Sequence, residues 1–156
     1  INTELIGISV DSLNSHLAWL YDIYLKTGLI VNFPIIADQN GVIARKYGMI
    51  SNDVSSTETV RNIFIIDDKG IIRSIFVYPM NIGRYIPEIL RTVTALQYSD
   101  QNNCMTPANW SPGNPMIVPP PKTFNALRER NESINKNRNG MCWYLSFKNP
   151  ETKKLE

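Results

Sequence analysis

Two arginines carry the strongest chemical signal in this chain. Arg61 opens the apolar run Asn62-Ile63-Phe64-Ile65-Ile66, and Arg84 closes the segment Tyr78-Pro79-Met80-Asn81-Ile82-Gly83. A guanidinium at the mouth of an apolar strand is costly to bury unless it holds an anion. A single predicted hairpin separates the two, so one site can use both. Paired guanidiniums suit the binding of an anion. They stay charged, and their planar donors reach two atoms at once. The competing reading of Arg61 is a strand-edge surface arginine paired with Glu58. For Arg84 it is ordinary surface charge at a helix start.

Other reactive side chains are few. His16 is the only histidine and shares a predicted helix with Trp19 at i and i+3. His16 reads as a partly buried residue packed near the core, and Trp19 as core or pocket wall. Cys104 and Cys142 are the only cysteines, too few for a disulfide framework. They point to a reducing compartment and a cytoplasmic location. One histidine and two distant cysteines build no usual zinc site. There is no glycine-rich phosphate loop. Asp67-Asp68-Lys69-Gly70 is too short for a calcium loop. Neither a metal nor a cofactor is expected.

The elements that must position the arginines follow from periodicity. Glu4 to Val10 is a short β-branched run, expected as a buried parallel strand. Asp11 or Ser12 caps a helix that Gly28 ends, with Leu13, Leu17, Leu20 and Tyr24 as its buried stripe. Asn32 to Asp38 leads into a short extended piece. Gly41 to Tyr47 is a short helix stopped by Gly48, with Val42, Ala44 and Tyr47 facing the core. Residues 52–59 are polar and read as a mobile loop. Val60–Ile66 and Ile71–Tyr78 are strands joined by a tight turn in which Gly70 takes positive φ. Gly83 begins a closing helix with Tyr85, Ile86, Ile89, Leu90, Val93 and Leu96 on its apolar side and Pro87 in its first turn. The pattern is α/β.

Composition shifts near Tyr98. Residues 99–121 hold six of the ten prolines and read as a helix-free extended arm. Trp110, Met116, Ile117 and Val118 give it too much apolar bulk for a linker, so it should dock on another surface. Thr123 to Ile134 reads as a polar helix anchored by Phe124 and Leu127. Met141 to Phe147 reads as an aromatic-rich strand. The 156 residues, 43% hydrophobic and 19% charged with net charge +2, describe an ordinary globular chain. Lys136, Arg138, Lys153 and Lys154 are scattered basics on a solvated surface, so no nucleic-acid partner is expected. No apolar run is long enough to span a bilayer, so no membrane partner is expected either.

Several short segments, in order and spacing, resemble one family over nearly the whole chain. They are His16-Leu17-Ala18-Trp19, Phe33-Pro34-Ile35-Ile36-Ala37-Asp38, Gly48-Met49, Val60-Arg61, Tyr78-Pro79, Gly83-Arg84 with Glu88-Ile89-Leu90-Arg91, Thr106-Pro107-Ala108-Asn109-Trp110 and Tyr144-Leu145. The chain resembles the one-cysteine class of peroxiredoxins, thiol peroxidases on a thioredoxin-like fold. The resemblance implies a three-layer thioredoxin-like domain over 1–98 and a C-terminal dimerisation arm over 99–156. It also implies an N-terminal truncation that removes the peroxidatic cysteine and its Pro/Thr/Cys loop. The implied activity is reduction of hydrogen peroxide and alkyl hydroperoxides through a cysteine sulfenic acid, completed by an external thiol reductant. The implied assembly is a homodimer, with Trp110 to Val118 packing onto the partner and rings as a higher oligomer. In this family the arginine matching Arg61 contacts the peroxidatic cysteine, and Arg84 would be a second cation. Cys142 lies near the resolving position of some archaeal members. The rival from another class is a non-catalytic thioredoxin-like interaction module or holdase.

Overall fold

The computed structural model describes residues 1–50, 61–137 and 139–149. The expected loop over 52–59, the Glu58 partner of Arg61, and Arg138, Lys153 and Lys154 lie outside the described residues. The chain divides into two compact units, at the step from Arg84 to Tyr85.

In the first unit, β1 (Gly7–Ser9) pairs in parallel with β2 (Ile35–Ala37), Gly7 lying opposite Ile35. The expected strand from Glu4 to Val10 is therefore trimmed to its centre. α1 (Leu13–Thr27) starts at Ser12, whose Oγ accepts from the Ser15 N–H at 3.1 Å, and ends at Gly28 with φ 72°. α2 (Val42–Lys46) is held by Asp38. The carboxylate accepts from the Ala44 N–H at 2.7 Å and the Ile43 N–H at 3.2 Å, supplying partners for orphan donors of the first turn. Burial pushes the Asp38 carboxyl up. Bonds from the Ala44, Ile43 and Val42 N–H groups and the Arg45 charge outweigh it, and the net shift is downward. Gly41 precedes the helix at φ 64°, and a Cβ there would meet Ile50 Cδ1 at 2.9 Å. Ala44, Met49 and Ile50 form the core of this unit, backed by Ile8, Val10 and Phe64.

β3 (Arg61–Ile66) and β4 (Ile72–Tyr78) make the expected antiparallel hairpin, with Arg61 opposite Tyr78 and Phe64 opposite Ile75. Asp67 Oδ1 accepts from the N–H groups of Lys69 and Ile71 at 3.0 and 2.9 Å, and Gly70 sits at φ 76°. The turn is thus closed by its own side chain.

Burial on α1 differs from the helical-period reading. Leu13, Leu17 and Tyr24 are exposed and Leu20 is half-buried, while His16 is the buried residue. Trp19 is 57% exposed, so it is neither core nor pocket wall. Val42 is also exposed, and Tyr47 stays partly exposed although its ring meets Phe64 edge-on at 5.1 Å. The reason is supply. Two separate two-stranded sheets offer too little surface to cover the apolar side of a 15-residue helix.

The second unit opens with α3 (Ile86–Asn102), which begins three residues after Gly83 and keeps Pro87 in its first turn. Val93 and Ala95 are buried, while Tyr85, Ile86 and Leu90 are exposed. Residues 99–102 are helical, against the helix-free expectation, because the first proline of the arm comes only at 107. Ala95, Cys104, Trp110 and Met116 form one core with Tyr98 and Val118 against it. Trp110 is 1% exposed and its Nε1–H donates to the Asn114 carbonyl at 2.9 Å. Trp110 and Met116 are thus buried within their own chain, which corrects the expectation that they reach across to a partner.

The remaining strands are β5 (Met116–Val118), β6 (Gly140–Cys142) and β7 (Leu145–Lys148), in the antiparallel order β5-β7-β6. The single strand expected over Met141–Phe147 is a hairpin turning at Trp143 and Tyr144. α4 (Phe124–Asn137) is present, but Phe124 is 77% exposed and anchors nothing, leaving Leu127 half-buried.

Arg91 ties α3 to the arm. It forks onto Glu88 at 2.6 and 2.7 Å and donates to the Trp110 carbonyl at 3.1 Å. The hydrogen bonds from Arg91 hold the Glu88 carboxyl below its ordinary value; burial works against them and the Arg91 charge adds to them. A carboxyl depressed on folding stabilises fully above the ordinary glutamate range and loses that contribution as pH falls through the depressed value. Glu88→Gln is therefore expected to lower Tm at neutral pH, and the gap from wild type should close in acid. Melting curves across a pH series check this. A gap that persisted unchanged in acid would rule out the ion pair as its source.

Candidate active site

Arg61 enters β3 half-buried, and its Nη1–H donates to the Ile82 carbonyl at 3.2 Å. Ile82 itself closes a turn by donating its N–H to the Pro79 carbonyl at 3.0 Å. The hairpin and this turn bring the two arginines to one cavity of about 230 Å³, whose apolar wall is Ile8, Ala44, Met49 and Met80. Ser9 lines it as well. Among the described residues no carboxylate pairs with Arg61 or Arg84, whereas Arg73 and Arg91 each have one. Among the described residues, Arg61 makes one side-chain hydrogen bond, to the Ile82 carbonyl. Guanidiniums with no carboxylate partner among the described residues, set against an apolar wall, are suited to an anion.

Ser9 and His16 form the polar side of this unit. Ser9 Oγ donates to Asp11 Oδ2 at 2.7 Å and lies 2.6 Å from His16 Nε2. His16 is 7% exposed, as its sequence reading implied. The bond to Ser9 escaped that reading; a serine ending a short strand gives no signal of a partner seven residues on.

The cysteines stand elsewhere in the sequence. Residues 2–84 contain none. Cys104 is buried in the core around Trp110, where apolar burial makes a thiol inert. Cys142 is half-buried in β6, and its hydrogen bond to the Tyr144 hydroxyl pushes that phenol up, with charge and burial acting in the same direction. A larger cavity of about 850 Å³ in the second unit is lined by Trp110, Met141 and Phe147. Its one charged lining residue, Lys148, donates to the Asn102 carbonyl at 3.2 Å. Among the described residues no group of three or more His, Cys, Asp or Glu side chains could hold a metal ion. No helix among them is long and apolar enough to cross a membrane.

The chain is of mixed α/β architecture. Residues 1–75 match the AhpC/TSA family, and residues 95–133 match the C-terminal domain of 1-Cys peroxiredoxin. Peroxiredoxin 2 of Caldanaerobacter subterraneus is 51% identical over 149 residues, covering 94% of this chain and 66% of that protein. Peroxiredoxin 2 of Picrophilus torridus is 47% identical over 145 residues, covering 93% of this chain and 69% of that protein. Among solved structures, the yeast mitochondrial 1-Cys peroxiredoxin superposes with a TM-score of 0.78 at 37% identity, over 95% of this chain and 71% of that one. A cysteine-to-serine mutant of peroxiredoxin 6 of Arenicola marina gives 0.76 at 29% identity, over 96% and 71%. The chain belongs to the peroxiredoxins, thiol peroxidases with a thioredoxin-like fold, and it spans about two thirds of the length of the curated relatives it matches. These relatives favour the enzyme over the non-catalytic interaction module.

Proposed function

We propose that Arg61 and Arg84 are the cationic half of a peroxidase site whose thiolate comes from polypeptide outside residues 2–84. The observation that carries this reading is the sharing of one small cavity by two arginines with no described carboxylate partner. A thiolate attacks the terminal oxygen of a hydroperoxide. A sulfur–oxygen bond forms, the O–O bond breaks, and the electron pair leaves on the other oxygen, which takes a proton from water. Sulfur is oxidised to sulfenic acid and the peroxide is reduced to water or an alcohol. Arg61 lowers the thiol pKa before attack and faces the developing oxyanion during it. Arg84, exposed at the cavity rim, adds a second charge to the same field.

The sulfenic acid then condenses with a thiol, releasing water, and a second thiol cleaves that disulfide. An external thiol is the reductant, with Cys142 as an internal resolving candidate on its half-buried strand. A reducing compartment such as the cytoplasm supplies that thiol. The exposed apolar residues of α1 and β4, among them Leu13, Leu17, Ile75 and Val77, suit covering by further polypeptide, in the same chain or in a homodimer partner.

The test joins this chain to the N-terminal third of the Caldanaerobacter relative. That extended polypeptide is expected to consume hydrogen peroxide with a thiol reductant, and to sediment as a dimer. The 156-residue chain alone is expected to show no turnover. Turnover by the chain alone would assign the peroxidatic role to Cys104 or Cys142 and overturn the proposal.

A further inference from the structure

Two Asn-Gly steps occur in the chain, Asn40-Gly41 and Asn139-Gly140. At such a step the glycine amide nitrogen can attack the asparagine side chain at Cγ, because glycine has no Cβ to obstruct the approach and leaves the backbone free to turn. Both asparagines are exposed, so access to water does not separate them. Their backbone hydrogen bonds do.

The peptide plane between Asn40 and Gly41 is held at both ends. The Gly41 N–H donates to the Asp38 carbonyl at 2.8 Å, and the Asn40 carbonyl accepts from the Arg45 guanidinium at 2.5 Å. Between Asn139 and Gly140 the carbonyl end is the one held, by the Phe147 N–H at 2.7 Å. With Gly140 opposite Ser146, that bond makes the two residues a non-hydrogen-bonded antiparallel pair, the kind in which the chains lie closest. A Cβ on Gly140 would meet Ser146 Cα at 2.8 Å, as such closeness requires. In a pair of this kind the glycine N–H points away from the neighbouring strand. β6 is at the end of the order β5-β7-β6, so among the described residues no strand lies on that side to take it.

From this contrast we propose that Asn139 is a site of spontaneous deamidation in the folded protein, while Asn40 is protected. The Gly140 nitrogen gives its proton to hydroxide and attacks Asn139 Cγ. A carbon–nitrogen bond forms, the bond from Cγ to Nδ2 breaks, and Nδ2 leaves as ammonia after taking a proton from water. The product is a five-membered succinimide. Water then opens the ring at either carbonyl, giving aspartate or isoaspartate, with no change of oxidation state. The step has to release the Phe147 N–H from the Asn139 carbonyl, and a three-residue edge strand opens more readily than a packed core. The outcome is a carboxylate on the wall of the 850 Å³ cavity, which also carries Lys148. In the isoaspartyl product the backbone gains a carbon, and the pairing of Gly140 with Ser146 loses its register.

The test incubates the full 156-residue chain in mildly alkaline buffer, with and without urea, and follows both asparagines by peptide mapping with mass spectrometry. In the folded chain Asn139 is expected to lose its amide about tenfold faster than Asn40, the factor that one or two retained hydrogen bonds supply. In urea, where the two steps share the same local chemistry, the rates should converge to within about threefold. Asn139→Gln should abolish the early mass gain, because a glutamine ring closes slowly, and Asn40→Gln should leave it unchanged. Equal rates in the folded chain, a faster Asn40, or an early mass gain that survives Asn139→Gln would each overturn the proposal. If circular dichroism shows the 156-residue chain unfolded in buffer, the same comparison on the extended polypeptide decides. None of these readouts depends on peroxidase activity.

Discussion

Arg61→Ala in the extended polypeptide is expected to lower kcat/KM for hydrogen peroxide by about 10²–10³-fold, the loss typical of removing one preorganised donor from a developing oxyanion. Two effects add. The thiol loses the charge that favours its ionised form, and the departing oxygen loses its hydrogen-bond donor. They separate experimentally, because the pH dependence of iodoacetamide alkylation reports the first alone and should move to higher pH. Arg61→Lys should recover part of the ionisation effect but little of the transfer rate, since an ammonium is a point charge without the fork that spans two atoms. Arg84→Ala should cost less, about tenfold, because that side chain is exposed and its field is screened. A rate within a few-fold of wild type for Arg61→Ala would mean that the cavity is not where the O–O bond breaks.

Trp110→Ala is expected to destabilise the second unit by about 3–5 kcal/mol, the usual cost of truncating a fully buried large aromatic. Three features put it at the upper end. The side chain is 1% exposed, the core around it has, among the described residues, Ala95, Cys104 and Met116 as buried members, and its Nε1–H donates to the Asn114 carbonyl. So small a core cannot close over the cavity left behind. Phe124→Ala is the control: a ring 77% exposed should change stability by no more than about 0.5 kcal/mol. Urea unfolding followed by circular dichroism measures both. Equal effects would show that the arm is not organised around Trp110.

Much of the local structure was legible in advance because its causes are local. Ser12 begins α1 and Gly28 ends it, since a hydroxyl cap and a left-handed glycine act within one turn. The β3–β4 hairpin follows from two β-branched runs and from Asp67, which closes the turn between them. Faces were less legible. Helical spacing marks Leu13, Leu17 and Tyr24 as apolar but cannot say whether a surface exists to cover them, and here His16 is the buried residue instead. The arm shows the same limit. Its apolar bulk foretold docking, whereas the choice between a partner and its own α3 depended on how Trp110 and Met116 fit beside Ala95.

By itself the sequence determined the family, the helix caps, the hairpin and the two guanidiniums, all properties of residue type and short spacing. Tertiary structure alone decided that Arg61 and Arg84 share a cavity with Ser9, and that His16 Nε2 lies 2.6 Å from the hydroxyl of that serine. Such juxtapositions join residues tens of positions apart in the chain, and side-chain direction and burial are set by packing rather than by neighbours in sequence.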